Sequence, residues 1–289
     1  MSWIRQSGNR IEDNYFFDDK DACLDTSICK EGLEELCRDV KEPFTYGTYW
    51  GGYATAVQQP ADFFFHLPEG FDLAKGAPLF CAGITTYYPL ERFLTIDVKN
   101  TGVIGCGGLG HMAIQFLHKM GKHVTAFTTS ENKRELLTKL GADKIVISKD
   151  PKQMKEAQES IELLINTIPS DIDFQPYISC VERGGKFIQV GMPAAADSMK
   201  FNINGLVATE IEIMGSCVGP RQPINNMIEF CHKNDVYPIV EEYPFEKMPE
   251  AFEKLEHGSP FFRCVVNMKD YAEKHGLKRS EEHTSELQS

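Results

Sequence analysis

The segment Thr101–Ala113, TGVIGCGGLGHMA, constrains this chain more than any other. A short apolar run, Thr101–Ile104, meets Gly105-Cys106-Gly107-Gly108-Leu109-Gly110, a G-x-G-x-x-G string. Leu109, Met112, Ala113, Phe116, Leu117 and Met120 then recur at helical spacing, and Gly121 closes the helix. Alone the string is weak evidence; between an apolar strand and an amphipathic helix it has the context its chemistry needs. Gly105 permits the tight turn, Gly107 lets the backbone approach a pyrophosphate, and Gly110 lets the helix pack on the strand. The helix amino terminus offers free N–H groups and a positive dipole end to phosphates. The alternative is a glycine-rich turn with no ligand; the context favours dinucleotide binding.

The chain alternates around this turn. Further strand-length apolar runs occur at His123–Phe127, Lys144–Ile147, Ile161–Ile165, Lys186–Val190 and Ile211–Met214, with helix-like stretches between them and glycine punctuation at Gly141, Gly184–Gly185 and Gly191. Six strands alternating with helices predict an α/β fold built on a doubly wound parallel sheet, a Rossmann domain over residues 71–236. Residues 1–70 read differently: Gly47–Pro68 is aromatic and β-branched with Gly and Pro breaks, the texture of short strands and turns. Residues 237–278 leave the alternating rhythm again, with a helix expected over Pro249–Glu256 and a strand over Phe262–Asn267. The closing stretch 279–289, RSEEHTSELQS, resembles the translation of a sequencing-adapter oligonucleotide and is expected to be a disordered tail.

The residues after the second strand bear on which dinucleotide binds. An NAD site usually places an acid there, roughly 20 residues beyond the glycines, on the ribose 2′-OH. Here the chain reads Thr128-Thr129-Ser130-Glu131-Asn132-Lys133-Arg134. Three hydroxyls and two cations suit a 2′-phosphate, since hydroxyls donate to its oxygens and Lys or Arg neutralises its charge. Glu131 lies past the strand end, where it is expected to cap the next helix. The alternative has Thr129 or Ser130 capping that helix while Lys133 and Arg134 are solvated. NADP(H) is favoured over NAD(H).

Composition excludes other classes. With a net charge of −12 the chain carries no electrostatic footprint for nucleic acid or an anionic membrane. No apolar run approaches the about 20 residues that span a bilayer. The opening MSWIRQSGNRIEDN lacks the apolar core of a signal peptide, so a cytoplasmic location is expected. Nine cysteines, an odd number, point to reduced thiols and to metal ligands ahead of disulfides. Cys23, Cys29 and Cys37 fit three positions of a four-thiolate zinc lobe, with Thr26 where the fourth belongs. Asp21 or Asp25 could supply an oxygen instead, and three unrelated thiols remain the alternative. By composition alone Cys81 reads as core packing.

These residues carry a family resemblance. From about Gly47 to Lys278 the chain resembles the zinc-containing medium-chain alcohol dehydrogenases, in the branch of NADP-dependent cinnamyl-alcohol dehydrogenases and aldehyde reductases. The resemblance rests on TYGTYWGGYA (45–54), PLFCAGITTYYPL (78–90), GVIGCGGLGHMA (102–113), AFTTSENKREL (126–136), LGADKIV (140–146), INTIP (165–169), GGKFIQVGMP (184–193) and IMGSCVG (213–219). It implies a GroES-like catalytic domain split around the Rossmann domain, here incomplete, and hydride transfer between NADPH and an aldehyde, assisted by zinc. It implies that Cys81 is a catalytic-zinc ligand, against the reading from composition, and that Thr85 touches the cofactor. Gly105, Gly107, Gly108, Leu109 and Gly110 match the pyrophosphate loop. Thr128, Thr129, Ser130 and Lys133 match the 2′-phosphate pocket. Thr167, Gly191 and Ser216 match strand ends that line the nicotinamide, and Cys23, Cys29 and Cys37 match structural-zinc ligands. It also implies a small aldehyde or alcohol substrate and a homodimer built edge to edge.

The sequence departs from the family in one respect. It contains no Gly-His-Glu, and little precedes the cysteine lobe, so the chain is expected to lack the opening of its catalytic domain. One thiolate cannot hold a catalytic zinc, which takes about three protein ligands; NADPH binding with little turnover is therefore expected. Tyr49, Trp50, Tyr87 and Phe261 line an apolar pocket or simply pack the core. Two other classes stay open: a zinc-free reductase of the quinone-oxidoreductase type, and a non-catalytic NADP-binding module.

Overall fold

The computed structural model describes residues 27–36, 64–170, 172–192, 201–257 and 262–276. By its internal contacts the chain divides into two units, Met1–Ile84 with Gly219–Ser289, and Thr85–Val218. The boundary near residue 84 falls inside a helix, α3.

In chain order the helices are α1 (Ser27–Lys30), α2 (Leu73–Gly76), α3 (Ala82–Phe93), α4 (Gly110–Lys119), α5 (Arg134–Lys139), α6 (Pro151–Glu156), α7 (Gln175–Ile178), α8 (Ile203–Thr209), α9 (Arg221–Asn234), α10 (Met248–Glu256) and α11 (Lys269–Lys274). The strands are β1 (Asn100–Ile104), β2 (His123–Thr128), β3 (Lys144–Ile147), β4 (Ile161–Asn166), β5 (Val181–Gln189), β6 (Glu212–Gly215), β7 (Val240–Pro244) and β8 (Arg263–Asn267).

The second unit holds a six-stranded sheet in the order β3-β2-β1-β4-β5-β6, and every neighbouring pair is parallel. This is the doubly wound Rossmann order expected from the sequence, and its direction reverses between β1 and β4. The middle strands are apolar on both faces, as a sheet buried on both sides requires: β1 is buried from Thr101 onward and β4 over Leu163–Asn166. Phe127, Phe187, Ile104, Leu164 and Ile161 form one buried cluster, with Phe174 and Tyr177 packed edge-on against Phe187 and Phe127. Burying each such side chain contributes about 1.5–3 kcal/mol. Helix α4 buries Met112, Ala113, Ile114, Phe116 and Leu117. It ends at Gly121, where Gly121 N–H donates to His118 O and Lys122 N–H to Leu117 O, a Schellman closure.

Strand β5 begins earlier than its apolar run. It starts at Val181, and its register against β4 shifts between Ile161 and Leu163. The Gly184–Gly185 pair lies within the strand, where Gly184 takes φ 73°, so these glycines build a bulge and do not end the element.

In the first unit β7 and β8 pair in parallel as a two-stranded sheet. Helix α10 and strand β8 fall where the sequence placed a helix and a strand; β7 was not expected. Buried Glu34 joins Arg221 of α9 at 2.7 Å, and Phe71 packs edge-on to Tyr237. Among the described residues no helix is long and apolar enough to cross a membrane.

Candidate functional site

The site is built at the carboxyl ends of the parallel strands, beside the point where strand order reverses. β1 ends at Ile104, and Gly105 turns the chain with φ 83°. The Thr167 hydroxyl, just past β4, reaches Ile104 O at 2.9 Å and Gly105 O at 2.5 Å, tying the turn to the neighbouring strand. Helix α4 starts hard against the same turn: a Cβ at Gly110 would lie 2.1 Å from Gly105 O. Gly107 is exposed, with open space where its side chain would be. Gly108 and Leu109 are half-buried. His111, the second residue of α4, lies with its Nδ1 3.1 Å from Gly107 O. Leu109, at the N-cap, makes no side-chain cap bond. Among the described residues nothing accepts from the Leu109 or Gly110 N–H. Burial pushes the Cys106 thiol up to about 12, so it stays protonated; it is a loop thiol packed under Phe127 O.

The 128–134 cluster follows β2. Thr128 is buried; its Oγ1 accepts from Ser130 N–H at 3.3 Å, and its carbonyl accepts from Ser148 N–H at 2.8 Å. Thr129 is exposed. Ser130 stands at the N-cap of the following turn, but its hydroxyl makes no cap bond. Glu131 is not the expected cap: it pairs with Arg134, and that bond holds its carboxyl below the usual range. Arg134 is thereby occupied. Lys133 is exposed, and its Nζ turns toward the glycine turn, reaching Cys106 O at 3.4 Å.

Thr167, Gly191 and Ser216 lie at adjacent strand ends. Gly191 N–H donates to Asn166 O and Ser216 N–H to Gln189 O, each at 3.0 Å. The Ser216 Oγ is buried and has no hydrogen-bond partner among the described residues. Thr85 is half-buried on α3. A bare glycine turn, unclaimed N–H groups and an orphaned hydroxyl along the same strand ends fit a dinucleotide.

The metal positions are less complete. Cys81 is half-buried where a 3-10 turn passes into α3, with its N–H on Pro78 O. Cys29 is buried in α1. Cys23 and Cys37 lie outside the described residues, as do Tyr49, Trp50 and Phe261. Among the described residues no three His, Cys, Asp or Glu side chains gather as a metal site. The described residues therefore do not by themselves complete a zinc site. Tyr87 packs edge-on against Phe116 at 5.3 Å and is core, not pocket lining.

Two polar residues at these strand ends were not singled out from sequence, Asn166 and Gln189, the last residues of β4 and β5. The signal available was one polar side chain at the end of each mostly apolar strand.

Residues 108–233 match the family described as zinc-binding dehydrogenase. A putative cinnamyl alcohol dehydrogenase of Oryza sativa subsp. japonica is 37% identical over 258 residues, covering 86% of this chain and 72% of the relative. The chain belongs to the zinc-containing medium-chain alcohol dehydrogenase family. Membership makes it by family an oxidoreductase of alcohols and aldehydes. Solved structures of the family agree in fold. A cinnamyl alcohol dehydrogenase of Sorghum bicolor superposes with TM-score 0.78 at 29% identity, covering 85% of this chain and 72% of that one. That of Helicobacter pylori, complexed with NADP(H), superposes with TM-score 0.73 at 26% identity, covering 86% and 72%.

Proposed function

We propose that this chain binds NADPH along the carboxyl ends of its parallel sheet and serves hydride exchange between NADPH and a small primary aldehyde or alcohol. The Lys133 ammonium carries this reading. Its Nζ reaches the glycine loop at Cys106 O, while in the same stretch the Ser130 hydroxyl makes no cap bond and Thr129 is exposed. One cation and several hydroxyls in this stretch suit a 2′-phosphate, and Glu131, held by Arg134, is not free to take a 2′-OH, which supports the reading. The NADP(H) complex of the Helicobacter pylori relative supports the same choice.

The residues divide the work. Gly105, Gly107, Gly108, Leu109 and Gly110 would form the turn that receives the pyrophosphate, with the unclaimed Leu109 and Gly110 N–H groups at the start of α4 as its donors. Thr128, Thr129, Ser130 and Lys133 would hold the 2′-phosphate. Thr167, Gly191 and Ser216 would line the nicotinamide, with Thr85 alongside. Bound NADPH supplies the hydride; the protein's part is to bind and orient it. Cys81 is assigned as a catalytic-zinc thiolate, and Cys23, Cys29 and Cys37 as lobe ligands, by their motif positions. In this reading residues 1–70 and 237–278 belong to the catalytic domain, and 71–236 to the cofactor domain. A homodimer through the sheet edge is supported by β6, an edge strand, and by α8, which exposes Ile203 and Val207.

The test is the oxidation of NADPH on adding an aldehyde. Oxidation is expected to be slow and to require the aldehyde, since one thiolate does not hold a catalytic zinc. Reduction of quinones or enones that ignores a zinc chelator would favour the zinc-free alternative and overturn this one.

Ser216→Ala offers a narrower check. Its hydroxyl is buried and unpartnered, and leaving such a group unpaired costs about 1–3 kcal/mol. Removing it should leave the melting temperature unchanged or raised. NADPH affinity should fall by a few-fold to about tenfold, the loss of one hydrogen bond. Unchanged affinity in calorimetry would remove Ser216 from the site.

A further inference from the structure

Asn166 and Gln189 are opposite partners in the β4–β5 register. Asn166 is fully buried. Its Nδ2 donates to Gln189 Oε1 at 2.7 Å, and its Oδ1 accepts from Ile168 N–H at 3.1 Å. Gln189 Nε2 donates in turn to Gly191 O. The backbone runs in parallel, with Val190 and Gly191 N–H both on Asn166 O and Ser216 N–H on Gln189 O.

This chain of amides has one workable direction. Reversing Asn166 would set an N–H against the Ile168 N–H, and reversing Gln189 would set its oxygen against the Gly191 carbonyl. Either leaves buried polar groups unpaired. The loops after β4 and β5 are therefore pinned to each other at one spacing. They also touch backbone to backbone, for a Cβ on Gly191 would lie 2.2 Å from Ile168 O.

Stability alone does not call for a polar pair here. The next residues inward, Ile165 and Ile188, are fully buried and apolar. Replacing both partners of a buried hydrogen bond by apolar groups of the same shape is often close to neutral. The pair sits instead where three strand ends present Thr167, Gly191 and Ser216.

We propose that Asn166 and Gln189 are positioning residues for the nicotinamide end of the cofactor, fixing the spacing of the loops that receive it. The inference rests on the NADPH reading above and goes beyond it by separating the two ends of the ligand.

The experiment compares two ligands on three proteins. The proteins are wild type, Asn166→Leu and Gln189→Met, the last a half-buried, near-isosteric change that keeps the fold testable should the first fail to fold. The ligands are NADPH and 2′-phosphoadenosine-5′-diphosphoribose, which lacks the nicotinamide. Wild type is expected to bind NADPH more tightly than the fragment. In the variants NADPH should weaken by on the order of tenfold while the fragment is unchanged. Equal weakening of both ligands, with a lowered melting temperature, marks a merely structural pair and overturns the inference, as does unchanged affinity for both. Equal affinity of wild type for the two ligands also overturns it, yet leaves the cofactor assignment standing. Binding of neither by wild type fails the assignment itself, and the inference with it.

Discussion

Gly110→Ala is expected to abolish NADPH binding and to lower the melting temperature by about 10 °C. The added Cβ would lie 2.1 Å from Gly105 O and 2.9 Å from Gly105 C, both backbone atoms that no rotamer change can move. Helix α4 must back away from the β1 turn, and Thr167, bonded to the same Gly105 carbonyl, is disturbed with it. Overpacking that the surroundings absorb costs about 1–3 kcal/mol; a backbone clash belongs at or above the top of that range. For a chain of this size each kcal/mol moves the melting temperature by about 2–4 °C. Gly107→Ala is the control. Its Cβ meets nothing within 4 Å, so the melting temperature should hold, while the methyl group stands where the pyrophosphate is to approach and affinity falls. Differential scanning calorimetry with NADPH titration separates the two. Loss of stability in both variants, or in neither, would contradict this account of the turn.

Lys133→Ala is expected to weaken NADPH by about 10–100-fold, the value of a hydrogen bond to a charged group, and to leave NADH unchanged. The side chain is exposed, and its bond to Cys106 O is long at 3.4 Å. Surface changes of this kind fall within about 0.5 kcal/mol in stability, so the effect should lie in binding alone. Arg134→Ala is expected to do far less, because Arg134 is held by Glu131. Parallel titrations of both cofactors read the outcome; equal loss for NADH would move Lys133 from the 2′-phosphate to the general field of the site.

The sheet was legible because its strands are apolar on both faces. Runs such as Val103–Ile104 and Leu163–Ile165 have no other place to go. The start of β5 was hidden by Gly184–Gly185, which read as a break and serve as a bulge. β7 was hidden for a different reason. Its residues, VEEYP, are half-exposed or exposed and end in proline; the strand forms because β8 lies beside it, a pairing between residues far apart in sequence.

The candidate site could be drawn from sequence where residue type and spacing suggest the chemistry, in the glycines and in the hydroxyls after β2. By residue type alone Lys133 and Arg134 were equal; the family resemblance singled out Lys133, and the geometry adds that Arg134 is bonded to Glu131. Asn166 and Gln189 were not legible. A polar residue closing a strand reads as solvated until the strands are paired and the two amides are seen to meet. Cys81 was assigned by its motif rather than by spacing, and among the described residues it belongs to no group of three metal-ligating side chains.

In the proposed site Gly105–Gly110 grips a pyrophosphate and Thr128–Lys133 a 2′-phosphate. Isothermal titration of the folded chain with NADPH and with NADH separates the two grips. A single saturable site preferring NADPH by about tenfold or more is expected, with the preference shrinking as salt screens the phosphate. Equal affinity for the two cofactors, or no saturable binding of either, would refute the assignment.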